Sequence, residues 1–175
     1  MTQAMLKGAL ISALLLLAGC GFQLKGSENT HISFDPNLQN VLVIGDSQNS
    51  SIPQRVISYL GNNNVSIADT RSAAEFIVTI SPVRESFRTV TVDKLARDAE
   101  KELSLMVTYA LQDAEGNTLQ GPVNLYVERI YKHYIDDVNA SDSELDIIRR
   151  ELNYNLAEQI VRRLQAVKTS GQQAS

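Results

Sequence analysis

Apolar residues recur along this chain at two periods, one near 2 and one near 3.6, and the order in which the periods alternate outlines a fold. Val41-Leu42-Val43-Ile44 is a compact apolar run stopped by Gly45 and Asp46, the pattern of a strand covered on both faces. Ser51-Ile52-Pro53 then predicts a helix start, because Ser51 is able to cap and proline is tolerated in a first turn. Val56, Ile57 and Leu60 supply its apolar stripe, and Gly61-Asn62-Asn63-Asn64 ends it. Val65 to Ala68 predicts a short second strand, so the opening unit is expected to run strand, helix, strand. Phe76 to Ile80 begins a longer strand that continues irregularly through Val83, Phe87 and Val90. Pro82 lies inside it, and a proline that cannot donate a ladder hydrogen bond predicts an edge or a bulge, hence a bent strand.

After the charged stretch Asp93 to Glu102, the residues Leu103, Leu105, Val107, Tyr109 and Leu111 alternate with more polar neighbours, which predicts a half-buried strand closed by the turn Asp113 to Asn117. Val123, Leu125 and Val127 alternate in a last strand that could extend to Ile135. Connections this short cannot carry a crossover, so the long strands should pair antiparallel. Ser141-Asp142-Ser143-Glu144 has the spacing of a capping box, followed by Leu145, Ile148, Leu152, Leu156, Ile160 and Leu164 at helical intervals. The expected fold class is α+β: one domain, residues 38–168, with a mixed, mostly antiparallel sheet and two helices packed on one face.

The N-terminus follows neither period. Lys7 precedes a short apolar run from Ala9 to Ala18, too short to span a bilayer, which ends in Leu17-Ala18-Gly19-Cys20. These positions resemble the lipobox of bacterial lipoproteins. The resemblance implies that residues 1–19 are a removed signal and that Cys20 becomes the first residue, carrying thioether-linked diacylglycerol and an N-acyl chain. A single acyl chain holds a membrane only marginally, whereas several make attachment effectively permanent. Gly21 stands where an aspartate would mark retention at the inner membrane in such families, so the expected destination is the outer membrane, facing the periplasm. Residues 20–37 read as a lipid-anchored tether, and Thr169 to Ser175 as a polar, disordered tail.

Composition narrows the chemistry. Acidic residues outnumber basic ones 20 to 16, for a net charge of −4, which argues against nucleic acid as a partner. Cys20 is the only cysteine, so no internal disulfide is possible. His31 and His133 lack metal-ligand spacing, and no phosphate loop or nucleophile elbow occurs. Asp136-Asp137 reads as solvated loop charge. No catalytic residue, metal site or cofactor is expected beyond the lipid on Cys20.

One stretch stands out. Arg84, Arg88, Lys94, Arg97 and Lys101 place five cations within eighteen residues, interleaved with Phe87, Val90, Val92 and Leu95. A mixed cationic and apolar surface suits an anionic amphiphile, since phosphate seeks lysine or arginine and acyl chains seek exposed apolar groups. Glu85, Asp93, Asp98 and Glu100 partly cancel that charge, and a salt-bridged strand face is the plainer reading of the residues alone.

Several segments together resemble the lipopolysaccharide-assembly lipoprotein LptE family: the junction Gly19-Cys20-Gly21-Phe22-Gln23-Leu24-Lys25-Gly26, the strand opening Ala99-Glu100-Lys101-Glu102-Leu103, and the terminal helix with Ala157-Glu158-Gln159-Ile160-Val161-Arg162-Arg163-Leu164. The order of elements is similar almost throughout. The resemblance implies a non-enzymatic protein that plugs the lumen of the outer-membrane β-barrel LptD one-to-one, assists its assembly, and binds lipopolysaccharide on its way to the cell surface. It further implies that Lys94, flanked by Arg88 and Arg97, contacts lipopolysaccharide. A second basic position of the family, before the terminal helix, has no counterpart in Asp136 to Glu144. Two alternatives stay open on sequence: an auxiliary lipoprotein of another envelope lipid-transport system, and a lipoprotein enzyme.

Overall fold

A computed structural model describes residues 34–133 and 138–168; the signal segment, Cys20, nearly all of the tether, His31, Asp136-Asp137 and the tail lie outside the described residues. In chain order the elements are β1 (Val41–Ile44), α1 (Ile52–Asn62), β2 (Phe76–Ile80), β3 (Arg84–Val92), β4 (Asp98–Asp113), β5 (Thr118–Lys132) and α2 (Val138–Gln165), with one short 3-10 turn at Arg71–Ala73. β1 and β2 are parallel and every other pairing is antiparallel, which makes the sheet mixed and mostly antiparallel. The α+β class read from the sequence is the one observed.

β4 organises the sheet. Tyr109 pairs with Ile80 on one side and Val123 on the other, and Leu105 pairs with Glu85 and Val127, so β2 and β3 run end to end along one edge of β4 while β5 takes the other edge. Between the Ile80–Tyr109 and Arg84–Met106 pairs, three residues oppose two, a one-residue bulge at Ser81-Pro82-Val83. The Ser81 hydroxyl accepts from the Thr108 amide at 2.9 Å, and the Thr108 carbonyl accepts from the Ser81 amide at 2.8 Å, so the ladder stays satisfied beside a proline that cannot donate. The bent strand expected from Pro82 is therefore two collinear strands hinged at a bulge.

Three local expectations need correction. Val65 to Ala68 is not a strand: it contributes one parallel bridge, Ile67 to Val41, held by Val41 N–H to Ser66 O and Ala68 N–H to Val41 O. The parallel partner that follows α1 is β2 instead. Ser51 stands at the N-cap of α1 but its side chain makes no cap bond; the Ser50 hydroxyl accepts from the Ile52 amide at 3.1 Å, and the helix closes at Asn63, with Asn64 in the left-handed region at φ 63°. The capping box is not a cap either, because α2 begins at Val138. Ser141 is buried and lies seven residues before Ile148, on the same stripe that packs on the sheet, so tertiary burial extends the helix a turn upstream of its sequence signal. β4 also begins earlier than its apolar alternation, taking in Asp98 to Glu102, and β5 stops at Lys132 with His133 just beyond it, its amide donating to Ala99 O.

The core lies between the sheet and the two helices. Leu103, Leu105, Val107, Tyr109 and Leu111 of β4 are buried beneath Leu152, Leu156, Ile160 and Leu164 of α2, with Val56 and Leu60 of α1 joining them. Tyr109 is wholly buried, and its hydroxyl donates to Gln120 Oε1 at 2.8 Å, which meets the requirement of a polar tip inside a core. The opposite sheet face carries Arg84, Ser86, Arg88, Glu102, Ser104, Met106, Thr108, Asn124, Tyr126 and Glu128, which the registers place on one side.

Truncating Leu156 to alanine removes a fully buried side chain from the middle of the stripe and should cost about 2–5 kcal/mol in urea denaturation. Ile147→Ala, on the exposed side of the same helix, should change stability by less than about 0.5 kcal/mol.

Candidate functional site

The cationic stretch folds into the β3–β4 hairpin. Its turn is built by one carboxylate: Asp93 Oδ1 accepts from the amides of Leu95 at 2.8 Å and Arg97 at 3.0 Å, and Oδ2 accepts from Arg97 Nε at 2.8 Å. The Asp93 amide donates to Arg97 O, and Ala96 reverses the chain in the left-handed region at φ 59°. These bonds, led by those from Arg97, hold the Asp93 carboxyl below the ordinary carboxylate range. Their consequence is to push Lys94 and Leu95 outward at the tip. Leu95 is 72% exposed, and Lys94 is exposed with no ion pair among the described residues. Phe87 and Val92 are exposed on the same hairpin.

The other expected site residues are placed differently. Arg97 sits in the turn with Lys94, its guanidinium paired to Asp93 at 2.8 Å. Arg88 lies on β3 and is not part of the turn. It forks onto Glu102 across the ladder, Nη2 to Oε2 at 2.7 Å and Nε to Oε1 at 3.2 Å, and the Glu102 carboxylate holds its pKa above the ordinary guanidinium value. The Glu102 side chain is only 8% exposed, so this arginine supplies the counter-charge of a nearly buried carboxylate. Lys101 pairs with Asp98 at 3.1 Å. The structure thus brings Lys94 and Arg97 together and leaves Lys94 as the ungrouped cation of the tip, while Arg88 belongs to a groove of about 360 Å³ on the open sheet face with Arg84, Ser86, Ser104, Met106 and Tyr126. Sequence reading missed that groove and the part played by Asp93. The period-two spacing of Arg84, Ser86 and Arg88 was the available signal for the first.

Among the described residues, no group of three histidine, cysteine or carboxylate side chains is placed to hold a metal ion, and no helix is long and apolar enough to cross a membrane. A charged hairpin tip and a polar open sheet face, backed by a helical layer on the other face, make up the scaffold.

That scaffold is shared with solved lipoproteins. A lipoprotein B from Nitrosomonas europaea superposes with a TM-score of 0.67 at 18% identity, over 83% of this chain and 91% of that one. The rare lipoprotein B from Shewanella oneidensis gives 0.62 at 19% identity, over 73% and 95%. At this level of identity the likeness establishes the fold. The family follows from sequence: residues 38–164 match the LptE lipopolysaccharide-assembly family, and the chain belongs to it. A relative from Photorhabdus laumondii, the LPS-assembly lipoprotein LptE, is 27% identical over 161 residues, covering 92% of this chain and 85% of its own length.

Because the folded-state pKa of Asp93 is lowered, its contribution to the turn is present above the ordinary carboxylate pKa of about 3.9 and is lost as pH falls through the lower folded value. Hydrogen-exchange protection of the Arg97 amide, taken against the intrinsic rate at each pH, should hold at pH 5 and be lost only in stronger acid, and Asp93→Asn should lower it at both. Arg88→Ala should lower Tm by stranding Glu102, and adding Glu102→Gln should restore part of the loss.

Proposed function

We propose that this chain is an outer-membrane lipoprotein that plugs the LptD β-barrel, assists its assembly, and binds lipopolysaccharide as it is delivered to the cell surface, by binding and not by catalysis. The family match over residues 38–164 carries this reading. Residues 1–19 would be the removed signal, Cys20 the lipidated N-terminus, residues 20–37 a tether facing the periplasm, 38–168 the plug domain, and 169–175 a solvated tail. The covalent lipid is the only added group the function needs. The structure supports the plug through its surface: barrel lumens are polar, and the uncovered sheet face offers arginine, serine, threonine, asparagine and glutamate instead of a greasy exterior.

Lys94 is the proposed lipopolysaccharide contact, with Arg97 beside it and Arg88 further down the strand. A phosphate needs a cation not already neutralised by the protein, and Lys94 meets that requirement where Arg88 does not. Leu95 and Val92 next to it would meet acyl chains.

The decisive experiment is a mild-detergent pull-down of the lipidated protein from its native envelope, combined with photo-crosslinking at position 94. A large β-barrel should co-purify in stoichiometric amount. Lys94→Glu should cut lipopolysaccharide capture about tenfold or more while leaving barrel recovery and Tm unchanged, since an exposed cation with a well-hydrated partner binds mainly by charge. Recovery of an inner-membrane transporter in place of the barrel would overturn the plug; unchanged capture by Lys94→Glu would overturn the lipopolysaccharide site. Cys20→Ala should move the protein from the membrane fraction to the periplasmic one.

A further inference from the structure

On the helical side of the domain, away from the hairpin and the open sheet face, α1 and α2 leave a cleft of about 400 Å³ between them. Small-molecule clefts run roughly 300–1,000 Å³. Tyr59 of α1 and Tyr154 of α2 meet across it, hydroxyl to hydroxyl at 2.8 Å, with ring centroids 6.4 Å apart and planes inclined at 56°. The Arg55 guanidinium stands 5.4 Å above the Tyr154 ring. Its one side-chain hydrogen bond among the described residues goes to the Ser51 hydroxyl at 3.3 Å, and no carboxylate pairs with it there. Ser51, Gln54, Ser58 and Asn62 complete the lining.

The chain as a whole is acidic, yet no carboxylate lines the cleft, and the nearest one named by its electrostatics, Glu158, is occupied by Arg162 at 2.7 Å. No aliphatic side chain lines it either, which disfavours an acyl chain or an apolar peptide. What remains is an aromatic floor, a guanidinium without a counter-ion, and a rim of hydroxyls and amides. The bond to Tyr154, with burial second, has the Tyr59 phenol pushed up to about 12, so this phenol stays protonated near neutrality.

We propose that this cleft binds an acidic sugar unit, with the carboxylate on Arg55, the pyranose face on Tyr154, and the ring hydroxyls on Gln54, Asn62 and the tyrosine hydroxyls. Each part of the ligand answers a part of the lining: guanidinium recognises carboxylate in a fork, the aromatic ring accepts an apolar C–H face, and amides read hydroxyls in both donor and acceptor sense. The inference does not rest on the barrel-plug reading, since it uses no residue of the hairpin.

The test uses the full lipidated chain in detergent micelles, titrated with methyl β-D-glucuronide and followed by NMR at the Arg55 Nε–H and at the rings of Tyr59 and Tyr154. Saturable shifts at those groups are expected, with methyl β-D-glucoside weaker by about tenfold, equivalent to about 1.4 kcal/mol, and a similar loss in Arg55→Gln at unchanged Tm. No saturable shift, equal response to the uncharged sugar, or an unaltered affinity in Arg55→Gln would each overturn it. Repeating the titration with deacylated lipopolysaccharide core oligosaccharide and with N-acetylmuramyl glycan fragments assigns the natural source, the tighter binder naming it. If the chain recovered in complex with a membrane protein no longer responds because Tyr154 crosslinks to that partner in full, the cleft is a protein interface and the proposal fails.

Discussion

Nearly every feature of this domain depends on β4 being paired along both edges while only one of its faces is buried. Sixteen residues of strand, Asp98 to Asp113, are flanked by β2 and β3 on one side and β5 on the other. Backbone groups are thereby satisfied over the whole length, and the period-two alternation decides the rest: Leu103 to Leu111 point to the helices, Glu102 to Ala110 away from them. A slip of one residue would exchange those faces, setting leucines in water and Glu102 and Ser104 in the core. The bulge at Ser81 to Val83 is where that demand meets a chain that cannot comply, since Pro82 has no amide to give. At the bulge the Ser81 hydroxyl accepts from the Thr108 amide, and the strand resumes in register with its inner face preserved.

How much of this was visible beforehand follows from the range over which each signal acts. The alternation in β4 and the stripe of α2 repeat five or six times, so their type and facing were legible, as was the bulge at Pro82. Short signals failed. Val65 to Ala68 has strand-like residues but only one edge of β1 to pair with, and it contributes a single bridge. Ser141 and Glu144 have capping-box spacing, yet the helix runs on upstream to Val138 and Ser141 lies buried inside it. Charge masks the alternation from Asp98 to Glu102; the register places these residues in β4, where Glu102 pairs with Arg88 across the ladder and Lys101 with Asp98 along the strand.

The cationic stretch teaches the same point for function. A count of five basic residues overstates the charge available to a ligand, because Asp93, Asp98 and Glu102 each hold one of them at 2.7 to 3.1 Å. Exposed pairs of this kind add little to stability, but they do set geometry. Arg97 spends its guanidinium on the turn that projects Lys94, and Arg88 shields a carboxylate that β4 has drawn nearly out of solvent. Pairing is invisible to composition and to spacing alike, since the partners lie four, three and fourteen residues apart and the longest of these separations is bridged only by the hairpin ladder.

The two faces of the domain consequently differ in what they can recognise. The sheet side is open, ion-paired and polar, suited to lie against a wet protein wall, and its hairpin tip carries a cation beside exposed apolar side chains. On the helical side, Tyr59 of α1 and Tyr154 of α2 bridge the two helices beside a cleft that Arg55 also lines. An arginine over an aromatic ring without a carboxylate partner is the reverse of Arg88 on the sheet, which forks onto Glu102. Arg55 and Lys94 both lack a carboxylate partner among the described residues, and they lie on opposite sides of the same core. A ligand that engages one need not compete with a ligand that engages the other, so occupancy of the cleft and occupancy of the hairpin can be separated by single substitutions.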